Sequence, residues 1–535
     1  MTGRLAIVLH AHLPYVRHPE HPRFYEESWL FEAVAECYLP LLAAMAGWNR
    51  DAVPWRLTLT LTPTLCAMLS DEHLRGRTAG YLEAMVRLAE KEVERNLLRP
   101  DLRDVAEFYE TRGRLLLEQW HACGGNLLAE FRRHQDEGNL EILTCAATHA
   151  LLPLWLDQPA AIRAQLAVAV ADYRRHFGRV PDSLWLPECA WDAGLDPHLS
   201  AAGLRRSVLE THGLLHAGPR PRCATFAPVI TPAGVTVFGR DPASARQVWS
   251  RHGGYPGDPR YREFHMDLAH EAEWEYLRPH QTGSAERTFT GIKYHRVTGG
   301  LGPKEVYSRT AALAAVQEHA RHFVTQRNAA ITEAIPLMPH RPPLLTAPFD
   351  AELFGHWWFE GPEFLDAVVR TVAGEPSLRL TNLREGAAEF PERQLAIPAR
   401  SSWGEGGHLG VWLDAGNAWM LAPMRSATAR MMALAQQFSA RPMDDLSGRL
   451  LRQAGRELLL AQSSDWPFLL KMGTAGSYPA ERFRAHVESF NRLAAALESE
   501  TGPRWEPFLR TLEEWHPLFP ELDWRLWCEA TAATV

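Results

Sequence analysis

The chain is poor in the features that would set it apart from ordinary globular chemistry. Its seven cysteines, at 37, 66, 123, 145, 189, 223 and 528 of 535 residues, are odd in number, scattered and never arranged as Cys-x-x-Cys. That argues against a disulfide framework and a cysteine zinc site, and favours a reducing, cytoplasmic compartment. There is no His-Glu-x-x-His helix, acidic metal loop, internal repeat, heptad or low-complexity tract. The opening Met1-Thr2-Gly3-Arg4 enters a strand-like run without a signal-peptide pattern. No apolar stretch approaches the roughly 18 residues that span a bilayer. The net charge of −8 gives no reason to expect nucleic acid or an anionic membrane as partner, and suits a neutral substrate. The length accommodates a large catalytic domain and a smaller one.

Tryptophan is abundant instead, with nineteen residues. Most fill a core, while those beside polar loops offer the indole faces that stack on sugar rings. Apolar runs at 5–9, 57–61, 140–144, 207–209, 235–238 and 378–381 predict short strands, and in the second of them Leu57, Leu59 and Leu61 alternate with threonines. Pro159 and Gly178 bracket a helix with Ile162, Leu166, Ala169, Val170 and Tyr173 on one face, and residues 306–325 also read as helical. Strands alternating with helices predict parallel βα units, and chemistry at strand C-termini points to a barrel of TIM type. The expected catalytic domain is 1–400, with a helical insertion at about 70–135 and a loop or subdomain at about 239–304. Runs at 424–440, 444–462 and 478–499, the last opening at Ser477 and Pro479, predict a helical domain over 401–535.

Two apolar runs end in an acid. Leu184-Trp185-Leu186-Pro187-Glu188-Cys189-Ala190-Trp191 reads as a buried strand that stops at a carboxylate with tryptophans on both sides. Leu344-Leu345-Thr346-Ala347-Pro348-Phe349-Asp350 repeats the construction, followed by Glu352, His356, Trp357 and Trp358. An ionised acid near apolar surroundings must be paired or shift its pKa, so either acid alone is as well read as a structural ion pair or cap. Together they resemble the paired carboxylates of a sugar-cleaving or sugar-transferring enzyme. Glu352 and Glu360 compete with Asp350 for the second role, and Asp350 is preferred because it follows its strand immediately.

His10-Ala11-His12, at period two, can project both imidazoles to one face, and His149 also follows a strand. Metal binding, contact with sugar hydroxyls and a structural use all remain open for these histidines. The loop 249–262, with Gly253-Gly254-Tyr255-Pro256-Gly257, is either a surface turn or a hinged lid carrying Tyr255. Trp403, Trp412, Trp419 and the segment Ser464-Asp465-Trp466-Pro467 either carry a glucan chain or dock the helical domain.

In this order the segments resemble glycoside hydrolase family 57, and within it the members that branch 1,4-α-glucans. The resemblance rests on His10-Ala11-His12-Leu13-Pro14-Tyr15, on Gly138-Asn139-Leu140-Glu141 continuing to His149, on Trp185-Leu186-Pro187-Glu188, on Ala347-Pro348-Phe349-Asp350 with Leu353-Phe354-Gly355-His356-Trp357, and on the Trp403 region. It implies an α/β fold with an incomplete TIM-like barrel of seven βα units, a helical insertion and a C-terminal all-helical domain. It implies Glu188 as nucleophile, Asp350 as general acid/base and Tyr255 as a lid residue. His10, His12, His149, Arg287, Trp357, Trp403, Trp412 and Asp465 are then substrate contacts. No metal or cofactor is implied, and the partner is an α-1,4-glucan (amylose or glycogen) serving as donor and acceptor. Retention requires the two carboxyls about 5–5.5 Å apart. The family also holds amylases and 4-α-glucanotransferases. A metal-dependent hydrolase using His10, His12 and His149 and a non-catalytic glucan-binding protein are the readings from other classes.

Overall fold

The computed structural model describes residues 2–250, 253–281, 287–299, 303–442, 445–499 and 502–528. Arg251 and His252 of the loop 249–262 lie outside these described residues. The chain forms two compact units. Unit 1 holds Met1–Leu59, Met68–Glu141 and Asp241–Glu389, and unit 2 holds Thr60–Ala67, Ile142–Arg240 and Phe390–Val535.

The strands are β1 (Gly3–Ala11), β2 (Leu57–Leu61), β3 (Leu140–Leu143), β4 (Arg206–Leu209), β5 (Val229–Ile230), β6 (Thr236–Gly239), β7 (Leu344–Asp350), β8 (Leu378–Thr381) and β9 (Gln394–Leu395). A five-stranded sheet follows the order β3–β2–β1–β7, with β8 also on β1, and a four-stranded sheet follows β4–β6–β5–β9. In unit 1, β1 runs parallel to β7 from Arg4↔Leu344 to His10↔Asp350, and parallel to β8 from Gly3↔Leu378 to Ala6↔Thr381. Every residue of β1 but Arg4 is buried, as expected of a parallel strand covered on both faces. Parallel neighbours need long crossovers, and the helix Gly361–Ala373 supplies the one between β7 and β8.

The expected strands at 5–9, 57–61, 140–144, 207–209, 235–238 and 378–381 are present, and the two-residue strands β5 and β9 escaped notice. The Leu/Thr alternation of β2 is not an in-and-out pattern, because all five residues are buried. Thr58 instead uses its hydroxyl inside, donating to Glu141 Oε2 at 3.3 Å and accepting from Leu383 N at 3.1 Å. The run before Glu188 is extended but is no full strand. Among the described residues it pairs through two isolated parallel bridges, Ser183↔Arg206 and Thr144↔Leu184, before Pro187, which lacks an N–H, opens a 3-10 turn.

Helices fill 70–135, at Glu72–Arg95, Pro100–Ala122 and Leu127–Asp136. The segment Tyr25–Arg50 corrects the expectation on apolar runs: it is helical and, by length and composition, apolar enough to cross a membrane. With 67% of its apolar window buried inside the protein, it is what a core helix also looks like. In unit 2, Pro159–Phe177 is closed by Gly178 at φ 66° after a basic last turn. Leu421–Gln437, Leu446–Ala461, Asp465–Met472, Tyr478–Glu498 and Glu506–Trp515 follow. Ser477 does not cap Tyr478–Glu498 with its side chain, contrary to the sequence reading, whereas Pro479 sits in the first turn as expected. The buried face of this helix includes His486, whose Nδ1 lies 2.8 Å from Glu457 Oε2. Glu457 Oε1 meets His516 Nδ1 at 2.7 Å and accepts from Gln453 Nε2 at 2.8 Å, so a hydrogen-bonded carboxylate lies in the core of these helices.

Candidate active site

In unit 2, Glu188 sits in the turn Pro187–Cys189 with φ 61° and ψ 22°, in the left-handed region that residues other than glycine avoid. Cys189 follows at φ 49°, and His149 stands at φ 57°. Such positions cost about 1–3 kcal/mol each and survive only where the surroundings hold them. Here they are held from the C-terminal part of the chain. Trp403 donates its backbone N–H to Glu188 O at 2.8 Å and its indole Nε1 to Glu188 Oε2 at 2.5 Å. Ser464 donates its backbone N–H to His149 O at 3.2 Å, and its hydroxyl lies 2.8 Å from His149 Nδ1 and 3.3 Å from Glu188 Oε1. The Trp403 ring meets Trp185 edge-on at 5.1 Å, and the Arg240 guanidinium lies 5.5 Å over it while pairing with Glu210 at 2.7 Å. Asp465 is buried and accepts from the Ser463 hydroxyl at 2.5 Å. Trp412 is buried beside Phe468, with ring centroids 6.3 Å apart. A cavity of about 680 Å³ adjoins Trp403 through Ser402 and Gly404, and Glu210, His212, Arg240 and His408 are among its lining residues.

In unit 1, Asp350 is the last residue of β7 and is the register partner of His10 on β1. The His10 and His12 rings stack at 5.7 Å and 21°, as period two on one strand end demands. Burial, reinforced by His12, pushes the His10 imidazole well below its ordinary range. Glu352 is buried and accepts from Tyr38 Oη at 2.5 Å and from His12 N at 3.1 Å. Burial raises its carboxyl to about 6, against the opposing bond from Tyr38. Glu360 is buried too, accepting from Tyr307 Oη at 2.7 Å and Arg262 N at 3.2 Å. Asp350 keeps partial exposure where both competitors lie inside.

After Asp350 the chain turns through Ala351–Leu353 to Gly355 at φ 123°. A Cβ at Gly355 would overlap the Glu36 carbonyl, so only glycine permits this approach to the Tyr25–Arg50 helix. The turn delivers His356 Nδ1 to Glu36 Oε2 at 2.6 Å. Burial is the largest influence and disfavours the His356 charge, but that bond and the Glu36 and Glu32 charges together outweigh it and raise the imidazole. Trp357 is 56% exposed and stacks on Phe264 at 4.7 Å, an open indole platform.

Unit 2 therefore gathers Glu188, His149 and Trp403, and unit 1 gathers His10, His12 and Asp350. Tyr255 and Arg287 make other contacts. Tyr255 is buried, its hydroxyl 2.7 Å from His322 Nδ1 and its ring stacked on His319 at 4.5 Å and tilted against Phe364 at 5.6 Å. Burial pushes its phenol upward. Arg287 donates to the carbonyls of Ala269 (2.5 Å) and Ala272 (2.7 Å), which fastens its own loop. The sequence reading missed Tyr38 and the Arg240–Glu210 pair, and it named Ser464 only within the segment Ser464-Asp465-Trp466-Pro467, without a role of its own. Only Ser464 carried a signal, lying beside Asp465 and Trp466.

The sequence profile described as glycosyl hydrolase family 57 matches residues 6–336, and that of the 1,4-alpha-glucan branching enzyme C-terminal region matches residues 423–527. The chain belongs to glycosyl hydrolase family 57. It is similar to a 1,4-alpha-glucan branching enzyme of Thermococcus kodakarensis, with 34% identity over 93% of this chain and 74% of that protein. Among solved structures it is similar to the alpha-amylase AmyC of Thermotoga maritima, with 39% identity, TM-score 0.92 and coverage of 98% of this chain and 99% of that one. It is also similar to the family 57 branching enzyme of Pyrococcus horikoshii, with 33% identity, TM-score 0.87 and coverage of 100% of this chain and 98% of that one.

Proposed function

We propose that the chain is a 1,4-α-glucan branching enzyme, which cuts an α-1,4-linked glucan and passes the severed chain to a 6-hydroxyl. The observation that carries this is the match of residues 423–527 to the C-terminal region of branching enzymes, together with relatives of that name at 33–34% identity over nearly the whole chain. Within the reading, a Glu188 oxygen attacks the anomeric carbon while protonated Asp350 gives its proton to the departing glucan oxygen. The C1–O bond breaks and a β-glucosyl ester forms. Asp350, now a base, takes the proton of the incoming 6-hydroxyl. Its oxygen bonds to C1 as the ester breaks, which returns Glu188 as a carboxylate and restores the α configuration. Support for Glu188 lies in its strained backbone and in the donors aimed at both its oxygens. Support for Asp350 lies in its place at a strand end beside His10.

Hydrolysis is the second reading, because the Thermotoga relative is called an alpha-amylase. Incubation with amylose separates them. Branching lowers iodine staining with few new reducing ends, and a debranching enzyme then releases short chains. Reducing ends that rise in step with the loss of staining would make the protein an amylase. Glu188→Ala should be inactive on amylose and should form a β-glucosyl azide when azide replaces the missing carboxylate; turnover without azide would remove Glu188 as nucleophile.

A further inference from the structure

We propose that Ser464 is a positioning residue for the nucleophile, joining His149 to Glu188 in a relay that runs from His149 Nδ1–H to Ser464 Oγ and from Ser464 O–H to Glu188 Oε1. The inference rests on the reading of Glu188 given above. An ionised carboxylate only accepts, and a serine hydroxyl has one proton to give. Ser464 Oγ lies 3.3 Å from Glu188 Oε1 and 2.8 Å from His149 Nδ1. If the proton points at the carboxylate, the oxygen is left to accept from the imidazole, which fixes His149 as the Nδ1–H tautomer. The opposite polarity would turn hydroxyl lone pairs toward a carboxylate oxygen. His149 Nδ1 itself stands 3.7 Å from Glu188 Oε1, close enough for an ion pair but beyond hydrogen-bond reach, and the hydroxyl bridges the two by hydrogen bonds.

The relay is built into a rigid frame. His149 and Ser464 are both 2% exposed, and Ser464 N holds the carbonyl of the strained His149. Trp403 Nε1 holds the other carboxylate oxygen independently. Removing the Ser464 hydroxyl therefore leaves Glu188 anchored, and what changes is the stabilisation of its charge. Hydrogen bonds to the ionised form favour that form, so the relay keeps the nucleophile deprotonated at lower pH. When the carboxylate becomes an ester its charge is gone and the bond weakens. It recovers when the acceptor hydroxyl displaces the ester.

The test is the pH profile of kcat/KM on amylose, whose acid limb reports the free enzyme's essential base. Ser464→Ala should move that limb upward by about one pH unit, the worth of one charged hydrogen bond, whereas Ser464→Thr, which keeps the hydroxyl, should bring it back toward the parent. If Ser464→Ala fails to fold, as judged by its melting transition, Ser464→Cys replaces it, and its weak S–H donor should give an intermediate shift. An unmoved limb in a folded variant overturns the relay, and so does an equal shift in Ser464→Thr, which would mark a packing effect. Glu188→Ala separates the two claims. If it is inactive while the Ser464 limb stays put, only the relay fails; if it turns over unaided, the nucleophile assignment fails.

Discussion

Replacing Glu457 by Gln should cost unit 2 much of its stability. The Glu457 carboxylate is fully buried and receives His486 Nδ1 at 2.8 Å, His516 Nδ1 at 2.7 Å and Gln453 Nε2 at 2.8 Å. An amide offers one acceptor oxygen and turns an NH2 toward whichever donor remains, so at least one buried donor loses its partner. That loss costs about 1–3 kcal/mol, and the surviving bonds weaken from charged to neutral. Removing one member of a buried, hydrogen-bonded charge site totals about 3–5 kcal/mol. For a unit of roughly 250 residues, each kcal/mol is worth about 2 °C, so the calorimetric Tm at pH 7 should fall by about 6–10 °C. Acid acts in a definite direction. Burial alone would raise the Glu457 carboxyl, but the His516 and His486 imidazoles outweigh it and hold it below its ordinary range. Its contribution is complete above the unfolded value of 4.5 and fades as pH falls through the folded value. Burial, helped by Arg482, holds His486 at about 3 against 6.5 unfolded, so between those values only the unfolded chain takes the proton. Both groups make the parent less stable in acid, and only the carboxyl's share is missing from the variant. The gap in Tm should therefore narrow below about pH 4.5. A Tm change under about 2 °C at pH 7, or a gap that widens in acid, would refute the reasoning.

Three further outcomes follow from the site. Trp357→Ala, which removes the exposed platform over Phe264, should raise KM for amylose about fivefold, the worth of about 1 kcal/mol of ring contact, with kcat nearly kept; an unchanged KM removes Trp357 as a sugar contact. Asp350→Asn should lower kcat by about 10²–10⁴-fold, whereas Glu352→Gln, which touches His12 N and Tyr38, should lose about tenfold or less; the reverse order would hand the acid/base role to Glu352. Tyr255→Phe, which frees the ring from His322, should change the ratio of hydrolysis to transfer, and a ratio equal to the parent's in both Tyr255→Phe and Tyr255→Ala ends the lid role.

The fold was legible where local pattern and burial agree. β1 reads as one apolar run because both its faces are covered, and Pro159–Phe177 reads as a helix because proline and glycine bracket it. β5 and β9 were illegible because two residues carry no periodicity. The Tyr25–Arg50 helix was missed although it is long, since its apolar residues run nearly all round it in place of forming one stripe. Leu57, Leu59 and Leu61 pointed to the right element for the wrong reason, as Thr58 and Thr60 are equally buried.

The candidate site was legible in its acids and histidines but not in what holds them, and the reason is physical. Propensity rules place Glu188, Cys189 and His149 on the negative-φ side, yet all three are on the positive side. Each of the two polar residues is clamped twice by one distant partner, through main chain and side chain. Trp403 takes both the Glu188 carbonyl and its carboxylate, and Ser464 takes the His149 carbonyl and faces its Nδ1. The partners lie 215 and 315 residues further along, so no local window contains the cause. Two positions at about 1–3 kcal/mol each are offset by four hydrogen bonds, two of them to the titratable side chains themselves. Strain and clamp thus arise together, and the same contacts that make the backbone tolerable aim donors at the carboxylate. Relaxing the Trp403 clamp should free the Glu188 backbone and carboxylate together, while losing the Ser464 hydroxyl leaves Glu188 anchored and changes the donors around it. Trp403 and Ser464, and not the residues next to Glu188 in the chain, are therefore where this site can be altered.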